Sequence, residues 1–414
     1  MFITPRSMRE MAMDNFKRNK IPKFGVSDYQ KESLDLRCQW LNEITGIKLE
    51  HICSYSIPPE SMHGNIESPL GVCQVPLGIT GPLHVKGDFA NGNFFVPMAT
   101  TEGALVLTYQ MGIKVISMSG GARVKVLHDL IHIDPLFYLN DLDDTQNFIH
   151  WINSNFIQIK EVAESTTRYG KLQKIEPIIV SRAVVLKFLF TTGDAHGLNM
   201  INKACEKACQ FIKTQTKKHF ILRSHFSSIK GAASSIIHSG QAKAVMAETT
   251  VPRKVIQKIF KLDPEQIEKY YKTAILAGIY SGRIGATCHA ANAIAAIFLA
   301  CGQDIADVSV SHVGITNFEV TETGDLYSNI FIPNLFVGTI GGGTGLGTQK
   351  ECLQIMDCYG KDKVYKFSEI IGAVVLAGEI SVIAALVSGT YVEAHERHGR
   401  KRPDIQEPIF IDGE

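Results

Sequence analysis

An α+β fold is predicted by three features of this sequence. Around residues 70–97, Pro, Gly and Asn-Gly turn signals separate short apolar runs ("GVCQVPLGITGPLHVKGDFANGNFFVPM"), the pattern of strands and hairpins. Across about 127–221, apolar runs alternate with helical periodicity, as in a compact mixed module. Two long apolar stretches, 273–302 and 370–392, read as buried core helices. A membrane-spanning helix rarely tolerates Arg283, His289 and Asn292, which interrupt the first, or Glu379 near the centre of the second.

Taken in order, residues from about 8 to 50 read as helical, with Leu34, Trp40, Leu41 and Ile44 at three- and four-residue spacing, and 1–60 forms an N-terminal helical region. The strand-rich segment is followed by "TTEGALVLTYQMGIKVISMSGG", a helix opened by Thr100 or Thr101 as N-cap and closed by Gly120. Inside 127–221, "PIIVSRAVVLKFLF" reads as a strand and "HGLNMINKACEKACQFIKTQT" as a helix. A Ser/Gly-rich loop, "RSHFSSIKGAASS", two long apolar helices and the strand-like "YSNIFIPNLFVGTI" follow. Then come the Gly-rich "GTIGGGTGLGTQ", the last buried helix and a polar tail.

Composition narrows the class. The 414 residues suffice for two or three domains, and 45% hydrophobic with 20% charged content is globular. A net charge of +1 gives no global field for nucleic acid or a membrane surface, and neither is expected as a partner. The nine cysteines are scattered without Cys-x-x-Cys or zinc-ligand spacing, so no metal is expected, and they read as reduced thiols of a cytoplasmic protein. The N-terminus, with Glu10 and Asp14, resembles neither a signal nor a transit peptide.

Several residues carry chemistry. Glu102 is one carboxylate in the apolar "VPMATTEGALV", where burial would be costly unless the group is held or used. The glycines of 338–347 let backbone approach a phosphate closely, and Gly193, Asp194 and Gly197 in "TTGDAHGLNMI" open a helix, where anions bind. Arg168 and Lys171 stand beside hydroxyls in "STTRYGKLQ". Lys230 lies in a small-residue loop. Asp304 ends an apolar helix against its dipole and needs a cation or a proton. His395 follows the last helix. Each of these also has an ordinary structural reading when taken alone.

Together, "VPLGITGPL", "PMATTEG", "GDAHGLNMI", "HAAN…ACGQD", "GTIGGGTGL" and "AGEISVIAAL…H", in this order over about 65–398, resemble the 3-hydroxy-3-methylglutaryl-CoA reductase family, in the form of eukaryotes and many archaea. The resemblance implies a large domain (61–126 and 222–414) around a long buried helix, with a ferredoxin-like NADPH-binding domain inserted at 127–221. It implies homodimers or dimers of dimers with the active site between subunits. The implied reaction is four-electron reduction of a coenzyme A thioester to an alcohol by two NADPH.

Residue by residue, the resemblance makes Glu102 a proton donor kept protonated by burial, tuned by Lys230 and Asp304, and His395 the acid that quenches the leaving thiolate. It assigns the nucleotide to Thr167, Arg168, Tyr169, Asp194, His196, Gly197, Leu198, Asn199, Gly341, Gly342 and Gly343, and coenzyme A phosphates to Lys261 and Lys272. Asn292 would orient Lys230, and His289 would line the acyl pocket.

The chain departs from the family at the lysine loop, where Asp-Lys-Lys-Pro-Ala-Ala is replaced by "IKGAAS": Ile229 stands for the Asp and Gly231 for the second Lys. Each charge-assisted bond lost there costs about 1.5–3 kcal/mol. Arg123, Lys125, Arg223 and His225 are the cations that could rebuild a carboxylate site. Two readings follow: the usual substrate with a substituted clamp, or a different acyl thioester on coenzyme A or a carrier protein.

Overall fold

A computed structural model describes residues 22–47, 51–392 and 396. Of the N-terminal helical region, helix α1 (Lys31–Thr45) is seen, ended by Gly46 in the left-handed conformation. Its Arg37 is buried against Asp28 and the carbonyls of Pro22 and Pro69. Here the expectation of reduced cysteines fails: Cys38 of α1 is bonded to Cys53, a pairing across 15 residues made when the 51–54 turn folds back onto the helix. Cys73, Cys205, Cys209, Cys288, Cys301, Cys352 and Cys358 are free thiols.

The chain builds an α+β fold on two sheets. The larger contains β1 (Leu77–Gly87), β2 (Asn91–Ala99), β3 (Ala122–Asp129), β9 (Lys243–Val251), β10 (Ile315–Val320) and β11 (Leu326–Leu335), in the order β10-β11-β9-β3-β1-β2. Only the β1–β3 pairing is parallel. The second contains β4 (Ile131–Ile133), β5 (Leu136–Tyr138), β6 (Lys171–Val180), β7 (Ala183–Thr191) and β8 (Phe220–Ile221). The run read as one strand is therefore a hairpin, β6–β7. It turns where Ser181 takes a positive φ of 55°. On this sheet lies α5 (Leu198–Thr216), whose Ile201, Ala204, Cys205, Ala208, Cys209 and Ile212 form one buried face at helical spacing.

Helix α10 (Val364–Ser388) runs through the core beside the larger sheet and is buried from Phe367 to Ala384 on all sides. It is the one described helix long and apolar enough to cross a membrane, and most of it is enclosed by the protein. Helix α2 (Leu105–Met118) crosses it at glycine contacts. A Cβ on Gly112 would stand 1.9 Å from the Ala377 carbonyl oxygen, and one on Gly378 would stand 2.2 Å from the Tyr109 ring. Helix α2 begins later than expected: its N-cap is Ala104, and Thr100 instead accepts the Glu102 N–H (3.0 Å).

Two glutamates within apolar α10 are fully buried, and each serves a backbone nest. Glu369 accepts from the N–H groups of Asp88, Phe89 and Ala90 (2.6–3.1 Å), fixing the β1–β2 turn. Glu379 accepts from Cys288 and His289 (2.7–3.0 Å), capping α8 (Ala290–Ala300). Backbone donors thus give these carboxyl groups partners that burial would otherwise deny them, although burial still raises both groups above the usual carboxylate range. The apolar stretch 273–302 is consequently two helices, α7 (Pro264–Tyr280) and α8, joined by the capped loop 281–289.

Candidate active site

Residues 223–235 have no apolar periodicity, and the segment forms no strand and no helix. Within it Lys230 has φ 59°, and its Nζ donates to Asp304 Oδ2 at 2.6 Å, each side chain being 41% exposed. Asp304 lies just beyond α8 and caps the following turn, Ile305–Asp307, its Oδ1 accepting from Ala306 N at 3.1 Å. Burial alone would raise the Asp304 carboxyl. The Lys230 ammonium, the Ala306 N–H and the nearby His196 outweigh it and hold the group below the usual carboxylate range. So exposed a pair adds little stability. What it provides is a located ammonium beside an ionised acid.

Glu102 differs from expectation. It is exposed in the single chain, at the lip of two depressions, and its Oε2 accepts the Asn292 amide at 2.7 Å. Asn292 therefore holds Glu102 rather than Lys230. One depression is a cavity of about 280 Å³ that brings together Glu102, Lys261 and His289, walled by Leu105, Met111 and Phe260. The other is an open groove shared by Glu102, Asn292 and Ile305, the residue next to Asp304. His289 stacks on Tyr109 (5.0 Å between centroids), whose hydroxyl donates to the His289 carbonyl at 2.6 Å. Lys261 reaches the cavity because it ends α6 (Arg253–Phe260) in the left-handed conformation. Lys272 does not line it and pairs with Glu268 along α7 at 3.1 Å.

The residues expected around the nucleotide also gather. Thr167 Oγ1 caps the turn to Tyr169 and Gly170 and lies 2.8 Å from Met200 Sδ, which places the exposed Arg168 and Tyr169 at the start of α5. Gly197 precedes Leu198 and Asn199 there, with φ 82°. Ala195 bridges to Ile340, so Gly341, Gly342 and Gly343 run beside that helix start. Gly343 packs on Gly302, where a Cβ would be 2.8 Å from the Gly302 carbonyl oxygen. Asp194, however, has its carboxylate engaged by the N–H groups of Asp362, Lys363 and Val364 (2.8–3.1 Å), so it caps α10. The His196 ring is likewise taken, by Asp307 at 2.7 Å.

Among the cations near the acyl end, Lys125 pairs with Asp88 and Arg123 with Glu248 (2.7 Å) on β3, while Arg223 and His225 stand exposed on the segment leading to Lys230. His395 lies outside the described residues. Sequence reasoning missed Tyr109 and Asp307. The second acid of "GQDIAD", three residues after Asp304, was the available signal for Asp307.

Residues 33–400 match the family model described as hydroxymethylglutaryl-coenzyme A reductase. The 3-hydroxy-3-methylglutaryl-coenzyme A reductase of Methanocaldococcus jannaschii is 42% identical over 379 residues, covering 89% of this chain and 93% of that protein. The Methanothermobacter thermautotrophicus protein of the same name is 39% identical over 394 residues, covering 94% and 99%. A solved structure of the class II 3-hydroxy-3-methylglutaryl-CoA reductase from Streptococcus pneumoniae, bound to NADPH, shares the fold. Its TM-score is 0.65 at 18% identity, over 80% of each chain.

Proposed function

This chain belongs to the hydroxymethylglutaryl-coenzyme A reductase family, and from that premise we propose that it is an oxidoreductase reducing 3-hydroxy-3-methylglutaryl-CoA to mevalonate and coenzyme A. The observation that carries the reading is the Lys230–Asp304 pair, built across 74 residues. A carbonyl undergoing reduction gains negative charge on oxygen, and a fixed ammonium stabilises it. The Lys230 ammonium has that role, and the ionised Asp304 keeps it in place. Glu102, on Asn292, is the proton-delivering acid.

The proposed cofactor is NADPH, held where the start of α5 meets Gly341–Gly343, with Arg168 as the cation for its 2′-phosphate. A Cβ on Gly341 or Gly342 would meet open space, which fits a loop that a ligand approaches closely. Bound there, NADPH supplies hydride. The module 127–221 is read as its inserted domain, and Lys261 as the phosphate contact of coenzyme A. A homodimer completes the site: Glu102 is exposed in one chain, and Leu276, Ile279 and Tyr280 present an uncovered apolar face on α7. A cytoplasmic location belongs to the same reading.

The test is NADPH oxidation dependent on 3-hydroxy-3-methylglutaryl-CoA, with mevalonate as the product. Oxidation without mevalonate, or none at all, rejects the reading. A second reading, reduction of a different acyl thioester, is favoured by the pairing of Arg123 and Lys125 with acids elsewhere. Turnover of short acyl-CoAs lacking a distal carboxylate, in preference to the usual substrate, would establish it.

The nucleotide cradle makes its own prediction. Gly343→Ala forces the loop away from Gly302 and weakens NADPH binding about tenfold, as read by nucleotide fluorescence titration. Unchanged affinity would remove the loop from the nucleotide site.

A further inference from the structure

The turn 304–307 carries two carboxylates with two different nitrogen partners. Asp304 holds Lys230, and Asp307, fully buried, holds the imidazole of His196 through Nε2–Oδ2 at 2.7 Å. The Asp307 N–H also donates to the Asp304 carbonyl at 3.1 Å, closing the turn that carries both acids. Oδ1 of Asp307 is buried with no hydrogen-bond partner, so His196 is the group that answers its charge. His196 in turn packs on Phe336 at 5.5 Å and is 24% exposed. Gln303, one residue before Asp304, accepts the Gly338 N–H at 2.8 Å, tying the same turn to the glycine loop.

We propose that His196 is a positioning residue for the reduction: its imidazolium, locked on buried Asp307, neutralises that acid and so keeps the neighbouring Asp304 ionised to hold Lys230. The inference rests on the reductase reading. The side chains acting on Asp304 are Lys230 and His196, and Asp307 stands three residues on along the same turn. Lys230 and, least of the groups involved, His196 draw the Asp304 proton affinity down. Without the imidazolium, an uncompensated buried anion lies one turn from Asp304. Asp304 then binds a proton more readily, and the grip on the Lys230 ammonium loosens from the acid side first.

The test is a pH–rate profile of three chains. In His196→Gln, which keeps a donor but no charge, the acid limb of kcat moves up by about one pH unit, so activity on the acid side of the wild-type limb falls about tenfold while activity near pH 8 is unchanged. The double variant His196→Gln/Asp307→Asn removes the stranded anion as well and returns the limb toward wild type. A merely structural role predicts the opposite, a double variant worse than the single one. An unmoved acid limb in the single variant, or no recovery in the double, overturns the proposal. The Asp304 titration, followed by carboxyl carbon NMR and assigned with Asp304→Asn, moves in parallel. Because it does not depend on turnover, it decides the proposal even if the chain reduces no thioester.

Discussion

Lys230→Met lowers the rate of thioester-dependent NADPH oxidation by about 10²- to 10³-fold, while NADPH affinity stays within about twofold. The methionine keeps the stem but presents no cation to the oxyanion, and the stabilisation it removes exists only in the transition state. The loss therefore falls on kcat and kcat/KM alike. Structure predicts a second symptom. The ammonium is among the groups holding the Asp304 carboxyl down against burial. In the variant, burial then prevails and the acid limb of the residual activity moves to higher pH. Stopped-flow traces at saturating thioester measure the first effect and a pH series the second. A variant retaining more than roughly a third of wild-type kcat would take Lys230 out of the chemistry.

How far the sequence led differs from residue to residue, for physical reasons. The burial of α10 was legible because a long apolar run interrupted by one acid has few stable solutions other than a core helix. The Lys230–Asp304 pair was reachable because an acid at a helix end requires a cation. Glu102 was misread because an apolar neighbourhood in sequence does not state which side chains face outward. Ala99 and Leu105 on either side are buried, while its own side chain stands exposed at a lip. Asp194 looked like a ligand residue and proved a cap, since the chain it caps arrives some 170 residues later. The His196–Asp307 pair is hidden for the same reason, being separated by 111 residues. The two caps within α10 were visible only as isolated acids, their donors being backbone groups that no residue type reveals.

Glu379 carries the second large effect. Burial pushes its carboxyl up to about 7, although the N–H groups of Cys288, His289 and Ala290 and the charge of Arg283 pull the other way. In the unfolded chain the same group titrates near 4.5, so between these values the folded protein binds more protons than the unfolded one. The stability it contributes is complete below about pH 4.5 and is lost as pH rises through 7, by about 3 kcal/mol at 1.36 kcal/mol per pH unit. Thermal melts should fall across that window in the wild-type chain and flatten in Glu379→Gln. The amide keeps one acceptor for His289 but turns a donor toward Cys288, so the variant is the less stable chain in acid and gains on wild type above pH 7. Parallel curves would show that Glu379 does not titrate within the fold. Glu379→Ala removes the acceptor altogether and opens a cavity, costing about 3–5 kcal/mol in acid, a difference that shrinks as wild type loses stability toward pH 7. Because the cap fixes the first turn of α8, which carries Asn292 and follows His289, that loss reaches the Glu102–Asn292 contact and the cavity wall together.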